Sequence, residues 1–112
     1  HGSMEIMHVG LTEREAAALG GEILVSKSLF SSNVISQARG DASGFVKVVW
    51  RNGEMAGIAA IGACATQLTL SAELLLMGQY SGSRLNSFMV AHPTLDETLV
   101  DAVKAPRRPS EY

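Results

Sequence analysis

A chain of 112 residues holds one domain's worth of sequence, and its formal net charge of −2 lacks the basic surplus that a nucleic-acid surface requires. No apolar stretch approaches the roughly 18–20 residues of a membrane span, and no signal peptide is visible. A single cysteine excludes an internal disulfide and fits a reducing compartment, with the cytoplasm as the default.

Hydrophobic residues make up 46 % of the chain but aromatics only 5 %, so an aliphatic core of Leu, Ile, Val, Ala and Met is expected. His1-Gly2-Ser3 ahead of Met4 reads as a cloning scar, and Met4 to Val9 as the severed end of a connection. Thr12 followed by Glu15 is a capping box, so a short helix should start there and stop at Gly20-Gly21 with a left-handed cap. Glu22 to Lys27, rich in branched residues, reads as a strand. Ser28 to Gly40 fits either a loop or an irregular edge strand. Gly44 to Trp50 alternates, with Val46, Val48 and Trp50 on one face. Asn52-Gly53 then supplies a type I′ turn, and Met55 to Gly62 returns as the second arm of a hairpin.

Ala65 to Gly78 is expected to be helical, with Leu68, Ala72, Leu75 and Leu76 on one stripe and Leu70, Leu74 and Met77 widening the apolar surface. Such a helix is buried on most sides: either a partner subunit covers it, as a domain this small suggests, or the sheet takes one face and the two C-terminal helices another. Ser83 is placed to cap a short helix through Arg84 to about Phe88. Pro106 ends the last helix, leaving Arg107 to Tyr112 as a flexible tail. The domain proper would therefore run over residues 10–105, between the lead segment 1–9 and the tail 106–112.

The stretch Ala91-His92-Pro93-Thr94-Leu95-Asp96-Glu97 carries the chemistry. Thr94 and Glu97 have capping-box spacing, so the last helix should begin at about Leu95. Pro93 biases His92 towards an extended conformation, outside the helix. Two readings fit. Glu97 either only caps the helix, or it also accepts a hydrogen bond from the His92 ring and prepares it for general acid/base work. Cys64, between two alanines, reads as a small core residue, and three scattered histidines do not reach metal-ligand spacing.

The run AHPTLDETLVDAVKA resembles the end of the dihydrolipoamide dehydrogenases, flavoprotein disulfide oxidoreductases whose C-terminal dimerisation domain carries a His-Pro-Thr-Leu-x-Glu signature. Gly44-Phe45-Val46-Lys47-Val48, Gly57 through Gly62 and the helix from Ala65 fall in the order expected of that domain. The resemblance implies an α+β fold, an antiparallel sheet of three to five strands packed with about three α-helices. It also implies a homodimer in which His92 acts as acid/base, with Glu97 orienting it, at the partner subunit's flavin and dithiol site. The backbone of His92 and Pro93 would approach the flavin. FAD and NAD would be bound by other domains of the parent chain, because this one has no Gly-x-Gly-x-x-Gly and no Cys-x₄-Cys. The dithiol substrate would be a dihydrolipoyl group. Val90 stands where many relatives carry a second histidine, and Thr66-Gln67 where a Ser-Glu is frequent.

Two other readings accompany this one. The chain could be a stand-alone, non-catalytic dimerising module, or belong to a glutathione-reductase-like relative. A small hydrolase using Cys64 and His92 is a third, and it requires Cys64 exposed near His92.

Overall fold

The computed structural model describes residues 4–32 and 43–112. Strand β1 (Glu5–Gly10), helix α1 (Glu13–Leu19) and strand β2 (Ile23–Leu29) come first, and the hairpin β3 (Gly44–Arg51) and β4 (Glu54–Gly62) follows. Helices α2 (Thr69–Gly78), α3 (Arg84–Ala91) and α4 (Glu97–Lys104) precede a short last strand, β5 (Arg108–Pro109). The strands form one sheet in the order β1-β4-β3-β2-β5, with every pairing antiparallel. This is the α+β architecture expected from the sequence, with five strands and four helices among the described residues.

The hairpin sets the register of the sheet centre. Asn52 and Gly53 both have positive φ, 52° and 84°, as a type I′ turn demands, and Arg51 pairs with Glu54 across it. From that register the alternation of β3 follows. Val46, Val48 and Trp50 point to one face with Ile58 and Ala60 of β4 and Met7 of β1, all of them buried. Ala72 and Leu75 of α2, Leu85 and Phe88 of α3, and Leu99, Ala102 and Val103 of α4 close over that face. A buried polar staple fastens α4 to the sheet centre. The Ser26 hydroxyl donates to the Ala102 carbonyl at 2.6 Å and accepts the Trp50 indole N–H at 2.8 Å. With its one polar atom satisfied, Trp50 contributes its full apolar area, and Trp50→Ala would cost about 3–5 kcal/mol.

The opposite face is only partly covered. Helix α1 lies across its β2–β3 end, where Ala16 and Val49 are buried and Glu13 reaches Lys47. The Thr12–Glu15 capping box is formed in both directions, at 2.9 and 3.0 Å. Gly20 ends the helix with φ 82° but ψ 176°, so the stop uses a glycine-only conformation and not the expected left-handed cap.

Both chain ends depart from the sequence reading. Glu5 to Val9, within the expected severed connection, join Gly10 in the sheet's edge strand β1, which pairs along β4 from Gly62 to Gly57. The expected flexible tail is docked. Its strand β5 pairs with Leu24 and Val25, and Ser110 N–H donates to the Ile23 carbonyl at 3.0 Å. The Arg107 guanidinium lies 3.5 Å from the Trp50 ring centroid, and Arg14 covers Tyr112 at 4.9 Å. The 10–105 boundary thus leaves out residues that complete the sheet at both edges. Of the stretch left open, Ser28 and Leu29 finish β2, Phe30–Ser32 make a 3₁₀ turn, and 33–40 lies outside the described residues.

Candidate functional site

Helix α3 ends at Ala91 because Pro93 pushes the residue before it out of the helical region, and His92 has φ −128° and ψ 70°. The His92 N–H still donates to the Phe88 carbonyl at 2.9 Å, so the histidine caps the helix. Leu95 N–H then donates to the His92 carbonyl at 3.1 Å, closing a turn over Pro93 and Thr94. The histidine side chain is left exposed at the tip of this turn.

The start of α4 differs from the expected capping box. Asp96 is the N-cap, and its carboxylate accepts from Thr98 N–H at 2.7 Å and Leu99 N–H at 3.3 Å. Aspartate caps at least as well as threonine, and it wins here because the turn over Pro93-Thr94 already commits Thr94. The helix therefore starts two residues later than Leu95, and Glu97 is its first residue, not the third. A first-turn carboxylate at that position does not reach back over the cap. Among the described residues neither a hydrogen bond nor an ion pair joins His92 to Glu97. Both side chains nonetheless line one hollow of about 370 Å³, with Pro93, Met89, Leu95 and Lys104. The buried Thr98 hydroxyl of α4 finds no hydrogen-bond partner among the described residues.

The His92 ring packs on Phe88 instead, with centroids 4.5 Å apart and planes tilted by 37°. Sequence reasoning passed over Phe88, although its spacing four residues before His92 was the available signal.

Cys64 is exposed, which corrects its reading as a core residue; the neighbouring Ala65 takes the buried position. Cys64 does not line the hollow around His92, so the cysteine–histidine hydrolase has no assembled site. A larger groove of about 630 Å³ lies on the other face of the sheet, bordered by Lys27, Phe45, Arg108 and Pro109, and includes none of the residues singled out for chemistry.

On α2, Ala72 and Leu75 face the core, as does Leu68 just before it, while Leu70 and Met77 stand 67 % and 81 % exposed. The first turn of the helix expected from Ala65, Ala65–Leu68, is 3₁₀, and α2 proper begins after it at Thr69. Among the described residues no helix is long and apolar enough to cross a membrane.

Residues 1–103 match the family model of the pyridine nucleotide-disulphide oxidoreductase dimerisation domain. The chain belongs to that family. It is 34 % identical over 103 residues to the dihydrolipoyl dehydrogenase of Bacillus subtilis, a match covering 90 % of this chain and 22 % of the relative. It is 36 % identical over 106 residues to that of a Synechocystis species, covering 89 % of this chain and 22 % of the relative. Against the Chlorobaculum tepidum enzyme it is 37 % identical over 102 residues, covering 87 % and 21 %. The chain thus spans about a fifth of the length of these relatives.

Proposed function

We propose that this domain is the interface part of an FAD- and NAD-dependent oxidoreductase of the dihydrolipoyl dehydrogenase type, in which His92 with Glu97 serves the flavin and dithiol site of a partner subunit. The observation that carries the reading is the placement of His92, exposed on a proline-set turn and sharing a hollow with Glu97, in a chain of this family.

The described sheet is wholly antiparallel and has no βαβ crevice of the dinucleotide-binding type, so FAD and NAD fit other domains of the parent chain better than this one. When bound there, the flavin would take up the electrons of the dithiol. What this domain offers is a proton acceptor. A thiolate is the attacking species in thiol–disulfide exchange, and a dithiol near neutral pH is mostly protonated. A ring nitrogen of His92 would take the proton from one substrate thiol, leaving the thiolate to attack the disulfide. Glu97 would steady the resulting imidazolium once a side-chain rotation, or the partner subunit, brings the two together.

A homodimer is part of the proposal. Leu70 and Met77 form an apolar stripe on α2 that this domain leaves uncovered, and Leu70→Glu with Met77→Glu should convert the dimer to monomers in sedimentation. A wild-type chain that sediments as a monomer at high concentration would sink the dimer.

The deciding experiment is His92→Gln in the parent enzyme, which should lower turnover with the dithiol substrate by about 100-fold or more. An unchanged rate removes His92 from the mechanism. A parent protein without a flavin absorption band would favour the non-catalytic dimerising module.

A further inference from the structure

We infer that an aromatic column, Tyr80 and Phe88 seated on Gly78, positions His92, with Phe88 as the positioning residue for the proton transfer; the inference rests on the acid/base role proposed above for His92.

The column is built from the core outwards. Arg84 donates to the Gly78 carbonyl at 2.9 Å while its guanidinium covers the Tyr80 ring at 5.1 Å. Tyr80 N–H donates to the Leu75 carbonyl at 3.1 Å, which ties the tyrosine to the last turn of α2. Its ring lies so close over Gly78 that a Cβ there would stand 2.1 Å from Tyr80 Cε2. Glycine is therefore required for Tyr80 to lie where it does. Tyr80 meets Phe88 at 4.9 Å between centroids with a 38° tilt, and Phe88 meets His92 at 4.5 Å with a 37° tilt. Both distances fall in the range where offset and tilted aromatic pairs attract.

Phe88 is only 3 % exposed and belongs to the core cluster, so it cannot follow the histidine if the histidine swings. The same residue accepts the His92 backbone N–H. Backbone and ring of His92 are thus both referred to one buried residue. The contact can act alongside a carboxylate and not in place of it. It sets the plane of the imidazole through carbon atoms and occupies neither ring nitrogen, and among the described residues neither nitrogen has a hydrogen bond. One nitrogen remains for the substrate proton and the other for a polar partner.

The 112-residue chain with isotope-labelled histidine tests this directly by NMR. Ring-bound protons of His92 should be displaced by the Phe88 ring current, with exposed His8 as the internal reference. Phe88→Leu should abolish the displacement, Phe88→Tyr should keep it and Gly78→Ala should reduce it. A Phe88→Leu chain that retains the Trp50 indole resonance and the full His92 displacement overturns the column. Where Phe88→Leu fails to fold, an unchanged displacement in Gly78→Ala overturns it equally.

In the parent enzyme Phe88→Leu should lower kcat with the dithiol roughly 10-fold or more at near-constant KM, with Phe88→Tyr restoring it. Wild-type kcat in Phe88→Leu beside an impaired His92→Gln overturns the positioning role. Wild-type kcat in His92→Gln defeats the proposed function instead, and the NMR result still reports on the column by itself.

Discussion

Glu13 and Glu97 hold the same place, the first residue of a helix, and the fold treats them differently. Glu13 is 9 % exposed and fully engaged. Lys47 Nζ donates to Oε1 at 3.1 Å, and Ser110 Oγ and Glu111 N–H donate to Oε2 at 2.6 and 3.2 Å. Glu97 is exposed and has no such partner among the described residues. Burial works to raise the Glu13 pKa, but the hydrogen bonds from Ser110, Lys47 and Glu111 and the Lys47 charge outweigh it, so the pKa falls below 4.5. One carboxylate is structural, holding α1, β3 and the C-terminal strap together. The other is open to solvent. A helix start thus shows that an acidic residue suits the position, and tertiary contacts decide what it does there.

That contrast can be broken at several points. Deleting residues 107–112 removes β5, the Arg107 contact with Trp50 and two of the three donors to Glu13. It should cost about 3 kcal/mol or more in denaturant unfolding. A loss below about 1 kcal/mol would return these residues to the status of a loose tail. Glu13→Ala should cost about 2 kcal/mol, since charged hydrogen bonds in a nearly buried setting are lost.

The pH dependence of Glu13 has a definite sign. A carboxylate whose folded pKa is depressed adds stability that is present above its unfolded value and is lost as pH falls through the folded one. Stability of the wild-type chain should therefore decline below about pH 4.5 more steeply than that of Glu13→Gln. Parallel declines would separate the hydrogen bonds from the charge.

At the other helix, Asp96→Ala should cost about 1 kcal/mol, the usual value of an N-cap. Thr94→Ala should stay within about 0.5 kcal/mol. If the two exchange ranks, the helix begins where the capping-box spacing placed it. The smallest effect belongs to Glu97→Ala, within about 0.5 kcal/mol of wild type in stability, so any large loss of turnover in the proposed parent enzyme would report on chemistry and not on folding.

Some of the site was legible and some was not, for separable reasons. Pro93 acts on the residue next to it, so the exit of His92 from the helix could be read from one dipeptide. Glu97 could not be placed, because Thr94 and Asp96 are both competent caps and the sequence holds no rule for choosing. Phe88 was visible only as spacing; the ring contact depends on Phe88 being buried on Tyr80, which belongs to another segment.

The same division runs through the whole chain. The Asn-Gly hairpin, the Thr12 capping box, the alternation of β3 and the core-facing stripe of α2 were determined by the sequence itself, since each rests on residues within a few positions of one another. Strand β1, the docked C-terminus, the Arg107 stack on Trp50 and the burial of Glu13 were decided by tertiary structure. Ser110 meets Glu13 across 97 positions of sequence, and Ser26 meets Ala102 across 76. No local periodicity records such a pairing, because the free energy that selects it comes from contacts that exist only once the sheet has closed.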